Sequence, residues 1–263
     1  MRVVDFFSGI GGLSLGLERV GFQTVAFSEV DPYACAVLKK HWPDVPNLGD
    51  ITTLQPGTIP EADLWCGGFP CQPFSVAGAR RGSEDRRHLW PSFARLIGQV
   101  RPRWLFLENV PGLLSVDAGR VFGGLLRDLA SCGYVVEWDC LPASAFGAPH
   151  RRDRLWIVAY SNSRRQQERS KQDRTEKEPK LETSRRDDPC GCGQDGRPWD
   201  AEPAVGRVVD ELPRRVDRLR CLGNAVVPAI PQWIGSRIRD VETMAEVYGC
   251  KERYTRKLEP RQN

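Results

Sequence analysis

The amino-acid sequence predicts an α/β protein built on a doubly wound, mostly parallel Rossmann-like sheet. Three observations carry that reading. Short apolar runs recur along the first 160 residues, segments of helical periodicity separate them, and the opening run passes directly into a glycine-rich turn. The runs at 3–7, 24–28, 63–66, 104–107, 135–138 and 155–159 are mostly bracketed by glycine, proline or charge, and their length is that of buried strands. Residues 13–20, 33–42, 89–100 and 121–132 carry apolar side chains at the intervals that line one face of a helix. Strands joined through such helices lie side by side and parallel.

The chain has 263 residues, 40% hydrophobic and 27% charged, which is enough to bury one large core or a core with a small appendage. No run approaches the roughly 18 apolar residues of a membrane helix, and M-R-V-V-D-F-F-S-G enters a strand pattern without a signal-peptide layout. Nine scattered cysteines lack the regular spacing of a disulfide framework. These features exclude membrane and secreted classes and predict a cytoplasmic protein. The net charge of +4 permits a polyanionic partner without demanding one.

Composition then changes. Residues 161–200 hold ten Lys+Arg, nine Asp+Glu and only four hydrophobic residues, Leu181, Cys190, Cys192 and Trp199, too few to build a core. The predicted organisation is therefore a core at 1–160, a short polar insertion at 161–204, partly disordered, a return segment at 205–240 and a charged tail at 241–263. Residues 225–238 read as one helix rejoining the core, and the chain from Arg239 onward reads as frayed. Cys190-Gly-Cys192 has no second ligand pair at zinc spacing, so no metal is expected.

The first glycine turn, at Gly9, Gly11 and Gly12, follows a strand and opens a helix, the layout in which backbone closely approaches an adenosine-type cofactor. The dinucleotide fingerprint needs glycine at position 14, where this chain has Ser14, so a pyrophosphate is disfavoured. Glu29, twenty residues after Gly9, stands where an acid accepts hydrogen bonds from a ribose diol, and Asp50 in G-D-I is expected to meet an adenine edge from the third strand. A glycine turn can be only a turn, and Glu29 only a surface acid. Together the three elements point to a nucleoside cofactor without a pyrophosphate, which S-adenosylmethionine fits.

A second cluster lies at the following strand ends. G-G-F-P-C-Q-P-F-S places Cys71 between two prolines on a loop, unlike Cys35, Cys132 and Cys140, which sit inside element patterns and read as small buried hydrophobes. The basic stretch A-R-R-G-S-E-D-R-R-H after it supplies cations that stabilise a thiolate or grip phosphates. L-F-L-E-N-V delivers Glu108 to a strand tip, dry enough to raise its pKa; the plainer reading is a capping acid. H-R-R-D-R-L-W-I-V sets Arg152 and Arg154 two apart as a strand begins, so both would project to one face and reach an anionic or carbonyl oxygen. A thiol and a protonatable acid on adjacent strand tips suit conjugate addition to a pyrimidine ring.

At this point the residues resemble the DNA (cytosine-5) methyltransferases of bacteria and their phages. The likeness covers residues 3–159 and about 205–238, and rests on D-F-F-S-G-I-G-G, S-E-V-D, G-D-I, P-C-Q, E-N-V, R-x-R and G-N-A-V-V-P in that order. It implies contacts to S-adenosylmethionine from Phe7, Gly9, Gly11, Gly12, Glu29, Asp50 and Ile51, completed by Asn224, Ala225 and Val226. It also implies that Cys71 is the nucleophile, that Glu108 is the acid on the base edge, and that Arg154 contacts the base carbonyl. The implied substrate is a flipped cytosine in double-stranded DNA, the chain a monomer, and a cognate restriction endonuclease a further partner. Such proteins usually carry a sizeable target-recognition domain between R-x-R and G-N-A-V, where this chain has only 161–204. Phosphate contacts are expected from Arg164, Arg165, Arg185 and Arg186, and base reading from residues 80–87 and 199–220. Three alternatives stand beside this reading: an RNA cytosine-5 methyltransferase of the same fold, a non-enzymatic DNA-binding relative, and an NAD-dependent oxidoreductase, which Ser14 weakens.

Overall fold

The computed structural model describes residues 1–70, 89–161 and 215–247. The sheet has six strands: β1 (Arg2–Phe6), β2 (Gln23–Ser28), β3 (Leu64–Gly67), β4 (Trp104–Asn109), β5 (Tyr134–Pro142) and β6 (Asp153–Ser161), in the order β2-β1-β3-β4-β6-β5. The first four strands in that order are parallel, so the doubly wound, mostly parallel expectation holds there. β6 runs antiparallel to both β4 and β5. The link from Pro142 to Asp153 falls short of the dozen or more residues a parallel crossover needs, so β6 must return as a hairpin partner.

Each strand alternates its side chains between two apolar layers. On one face Val3, Leu64, Phe106 and Trp156 pack under α1 (Gly12–Glu18), and under Ile230, Ile234 and Ile238 of the last helix. On the other, Phe6, Trp65, Leu105 and Ile157 meet Phe93, Leu96 and Ile97 of α3 (Trp90–Val100) and Phe122, Leu125 and Leu129 of α4 (Arg120–Ser131). The remaining core helix, α2 (Pro32–His41), is capped by Asp31, whose carboxylate accepts from the amides of Tyr33 and Ala34.

Beyond the sheet the structure corrects the sequence reading twice. Residues 225–238 are not one helix: α5 (Arg215–Asn224) ends, the chain crosses 225–228 without helix, and α6 (Ala229–Val247) begins. Pro228 explains the break, since it has no amide to donate and disfavours helical geometry at the residue before it. Nor is the chain frayed from Arg239. α6 continues to Val247 because Glu242 is tied to the sheet, accepting from Trp104 Nε1 at 2.8 Å and pairing with the Arg103 guanidinium at 2.8 Å. Cys71, the basic stretch at 80–87, residues 162–204 and the end of the predicted tail lie outside the described residues.

Candidate active site

The four parallel strands deliver their C-terminal ends to one edge, and antiparallel β6 begins at that same edge. The first contribution is the turn after β1, where Phe7, Gly9 and Gly11 all take positive φ, at 54°, 54° and 83°. Gly11 is the N-cap of α1, and a Cβ there would lie 2.6 Å from the Trp42 ring, so only glycine fits without a shift. Glu29, just past β2, fastens this turn: its Oε2 accepts from the Gly9 amide at 2.7 Å, while its Oε1 accepts from the amides of Val30 and Asp31, each at 2.8 Å. A carboxylate offers about four acceptor positions, so Oε2 retains one for a ligand hydroxyl.

Asp5 and Ser14 hold the turn from below. Ser14, standing where a dinucleotide fold needs glycine, donates its hydroxyl to Asp5 Oδ2 at 2.8 Å. Asp5 is fully buried, and burial pushes its carboxyl up to about 7, against the pull of the Ser14 hydrogen bond. The folded protein thus keeps a proton that the unfolded chain releases near pH 4, as ordinary aspartates do. The stability contributed by that retained proton is complete below about pH 4 and is lost as pH rises through about 7. Asp5→Asn removes this titration. In urea titrations at several pH values, the stability of the variant relative to wild type should climb between about pH 4 and 7 and level off above. A difference independent of pH would show that Asp5 titrates in the folded protein as it does in the unfolded chain.

Asp50 is not on the third strand. It precedes a 3-10 turn, Ile51–Thr53, in the β2–β3 connection, and caps it by accepting from the Thr52 amide and hydroxyl at 2.9 and 2.8 Å. The sequence reading passed over Asn47, which secures this connection to β2: its Oδ1 accepts from the Glu29 amide at 3.0 Å and its Nδ2 donates to the Glu29 carbonyl at 3.0 Å. Opposite, Val226 of the return segment presses on Gly12, where a Cβ would come within 2.9 Å of Val226 Cγ2. Arg220 of α5 pairs with Asp31 across the mouth. The cleft so formed, about 1080 Å³, is lined by Phe7, Gly9, Gly12, Glu29, Asp50, Ile51, Asn224, Ala225 and Val226, and also by Glu108 and Arg154. It exceeds the roughly 300–1,000 Å³ of a typical small-molecule pocket, leaving room for more than one ligand group.

Glu108 and Arg154 meet because of strand register. Glu108 of β4 pairs with Trp156 of β6, so Arg154, two residues earlier on β6, is its diagonal neighbour on the same face. Arg154 Nε lies 2.9 Å from Glu108 Oε1, with side-chain exposures of only 19% and 11%. Burial raises the Glu108 pKa, and the charges of Arg154 and then Arg152 oppose the rise. Gly68 makes space for this carboxylate: a Cβ there would lie 2.9 Å from Glu108 Oε2. Asn109, also missed from sequence although it follows Glu108 directly, is buried; its Nδ2 donates to the Phe69 carbonyl at 2.9 Å and its Oδ1 accepts from the Val110 amide at 2.9 Å. Asn109 therefore joins the tips of β3 and β4, two residues before Cys71.

Arg152 departs from expectation. β6 starts at Asp153, and Arg152 has a φ of 35°, so strand alternation does not pair it with Arg154. Its Nη2 instead donates to the carbonyls of Gly223 and Ala225 at 2.6 and 2.7 Å.

A family model described as C-5 cytosine-specific DNA methylase matches residues 1–196. The chain is 40% identical over 163 residues to the Type II methyltransferase M.NgoBI of Neisseria gonorrhoeae, a match covering 62% of this chain and 51% of that protein. To M.HhaI of Haemophilus parahaemolyticus it is 35% identical over 163 residues, covering 62% and 50%. Among solved structures, the S. pombe Dnmt2 methyltransferase matches with a TM-score of 0.54 at 25% identity, covering 62% of this chain and 51% of that one. The chain thus spans about half the length of these relatives.

Proposed function

The chain belongs to the C-5 cytosine-specific DNA methylase family, and from that premise we propose that it transfers a methyl group from S-adenosylmethionine to C5 of a cytosine flipped out of double-stranded DNA. The observation that carries the proposal is the buried Glu108–Arg154 pair opening into the same cleft as the glycine turn and Glu29. An acid poised beside a nucleoside-sized pocket is the arrangement that base chemistry at a bound cofactor requires.

The donor set fits S-adenosylmethionine. Glu29 keeps one acceptor position for a ribose hydroxyl, Phe7, Asp50 and Ile51 line the cleft where the adenine would lie, and the positive-φ turn at Gly9 would bring backbone close to the ligand. Gly11 instead faces Trp42 and Leu38 and does not line the cleft. Asn224, Ala225 and Val226 would close the pocket from the return segment. When bound, this cofactor supplies an electrophilic methyl group on a sulfonium.

The chain's own residues do the rest. The Cys71 thiolate forms a bond to C6 of the flipped base, and the ring electrons move toward C5. Glu108 donates a hydrogen bond and then a proton at N3 and accepts from the exocyclic amine, while Arg154 holds Glu108 in place and reaches the base carbonyl. C5, now electron-rich, takes the methyl group. Transfer of the C5 proton to water, departure of the Cys71 thiolate from C6 and return of the N3 proton to Glu108 restore the neutral aromatic ring.

We assign phosphate contacts to Arg164, Arg165, Arg185 and Arg186 and base reading to residues 80–87 and 199–220. The relatives' Type II names make a restriction endonuclease of matching specificity the partner to seek, with this chain acting as a cytoplasmic monomer. The test is incubation with methyl-labelled S-adenosylmethionine and either duplex DNA or tRNA. Label should enter DNA as 5-methylcytosine; label in tRNA alone would move the assignment to RNA, and label in neither would remove it.

A further inference from the structure

We propose that Arg152 is a positioning residue of the cofactor pocket: its guanidinium holds the chain break between α5 and α6 so that Asn224–Val226 closes against the glycine turn. The inference rests on the S-adenosylmethionine reading of that pocket. The last carbonyls of a helix have no partner within it and carry partial negative charge, which a guanidinium satisfies better than water does. Arg152 Nη2 supplies one proton to the Gly223 carbonyl at 2.6 Å and one to the Ala225 carbonyl at 2.7 Å, on either side of Asn224. One residue later, Val226 bears on Gly12 at the start of α1.

The rest of this segment is loosely secured. Pro228 interrupts the helix, and within 223–227 the apolar packing comes from Val226 and Val227, both only partly buried against the core. The Arg220–Asp31 pair at the cleft mouth is itself half exposed on the arginine side. Arg152, by contrast, is partly withdrawn from water beside Arg154 and Glu108, and burial lowers its pKa accordingly. Its φ of 35° is one that residues other than glycine seldom adopt, and it aims the side chain away from the β6 face and toward α5. The arginine that strand alternation set on one face with Arg154 thus serves the cofactor pocket, while Arg154 keeps the place beside Glu108.

The test measures S-adenosylmethionine affinity by calorimetry without DNA, steady-state kinetics with DNA, and amide exchange in the free protein. Arg152→Met should weaken the affinity and raise the cofactor KM by about tenfold, with kcat at saturating cofactor within about threefold of wild type. Amides of 225–227 should exchange faster while those of β1 do not. Unchanged affinity, or a loss confined to kcat, would overturn the proposal and return Arg152 to the base site. Should Arg152→Met fail to fold, Arg152→Lys decides: a small loss of affinity with faster exchange at 225–227 supports the role, and wild-type values in both overturn it. Failure of wild type itself to bind S-adenosylmethionine would instead remove the cofactor reading, a separate result.

Discussion

Cys71→Ala is expected to abolish methyl transfer and to leave S-adenosylmethionine binding intact. In the proposed mechanism the thiol forms and later breaks the bond to C6, and an alanine methyl is not a nucleophile that could take its place. The proposed cofactor contacts come from the turns after β1 and β2, the Ile51–Thr53 turn and the 224–226 segment, whereas the loop after β3 enters the cleft at Gly68–Pro70, beside Glu108. Two measurements separate these effects: calorimetric titration of the variant with S-adenosylmethionine, and label transfer to DNA. Turnover above a few percent of wild type would sink the nucleophile assignment, and loss of cofactor binding would show that the loop after β3 also builds the pocket.

Much of the fold was legible because its signals are local. The central strands are apolar runs that end where glycine, proline or charge intervenes, and both their faces are covered, so they needed no alternation to be found. Edge strand β5 carries Glu137 and Asp139 and is exposed along its middle, so the run at 135–138 marked only part of it. The glycine turn and Glu29 were legible for the same reason, since a β-turn-α unit keeps its parts within about thirty residues. What failed depends on distant partners or on single backbone angles. That Glu108 and Arg154 would meet follows from β6 running antiparallel to β4, a pairing no local pattern announces. The persistence of α6 beyond Ile238 depends on Trp104 and Arg103, more than a hundred residues away in sequence. Arg152 was misplaced because strand alternation was applied one residue before the strand begins, at a left-handed φ. Asp50 was assigned to a strand although D-I-T-T is a capping sequence in which aspartate accepts from the amide two residues on. α5 escaped notice because Val216 and Leu222 are exposed and leave it little apolar stripe to read.

Glu108→Gln is expected to slow methyl transfer by about two orders of magnitude or more, read as a single-turnover rate at saturating DNA. Glutamine preserves the shape and can still donate a hydrogen bond to the base, so the loss isolates what the carboxyl alone does, which is to move a proton to and from the ring nitrogen. The surroundings of Glu108 favour the protonated acid more than water does, because burial raises its pKa, while Arg154 at 2.9 Å opposes the rise. The sign of the pH dependence follows. An acid must hold its proton to deliver it, so the Glu108 contribution is largest below its raised pKa and is lost as pH rises through it; the thiolate requirement at Cys71 acts in the opposite direction. Wild type should therefore show two limbs, and Glu108→Gln should lose the one on which rate falls with rising pH. The substitution also removes the partner of a largely buried guanidinium, so its thermal stability must be compared with wild type before the rate is read. A folded variant with a single-turnover rate within about threefold of wild type would place the proton on another group, and the buried pair would then be a structural tie between β4 and β6.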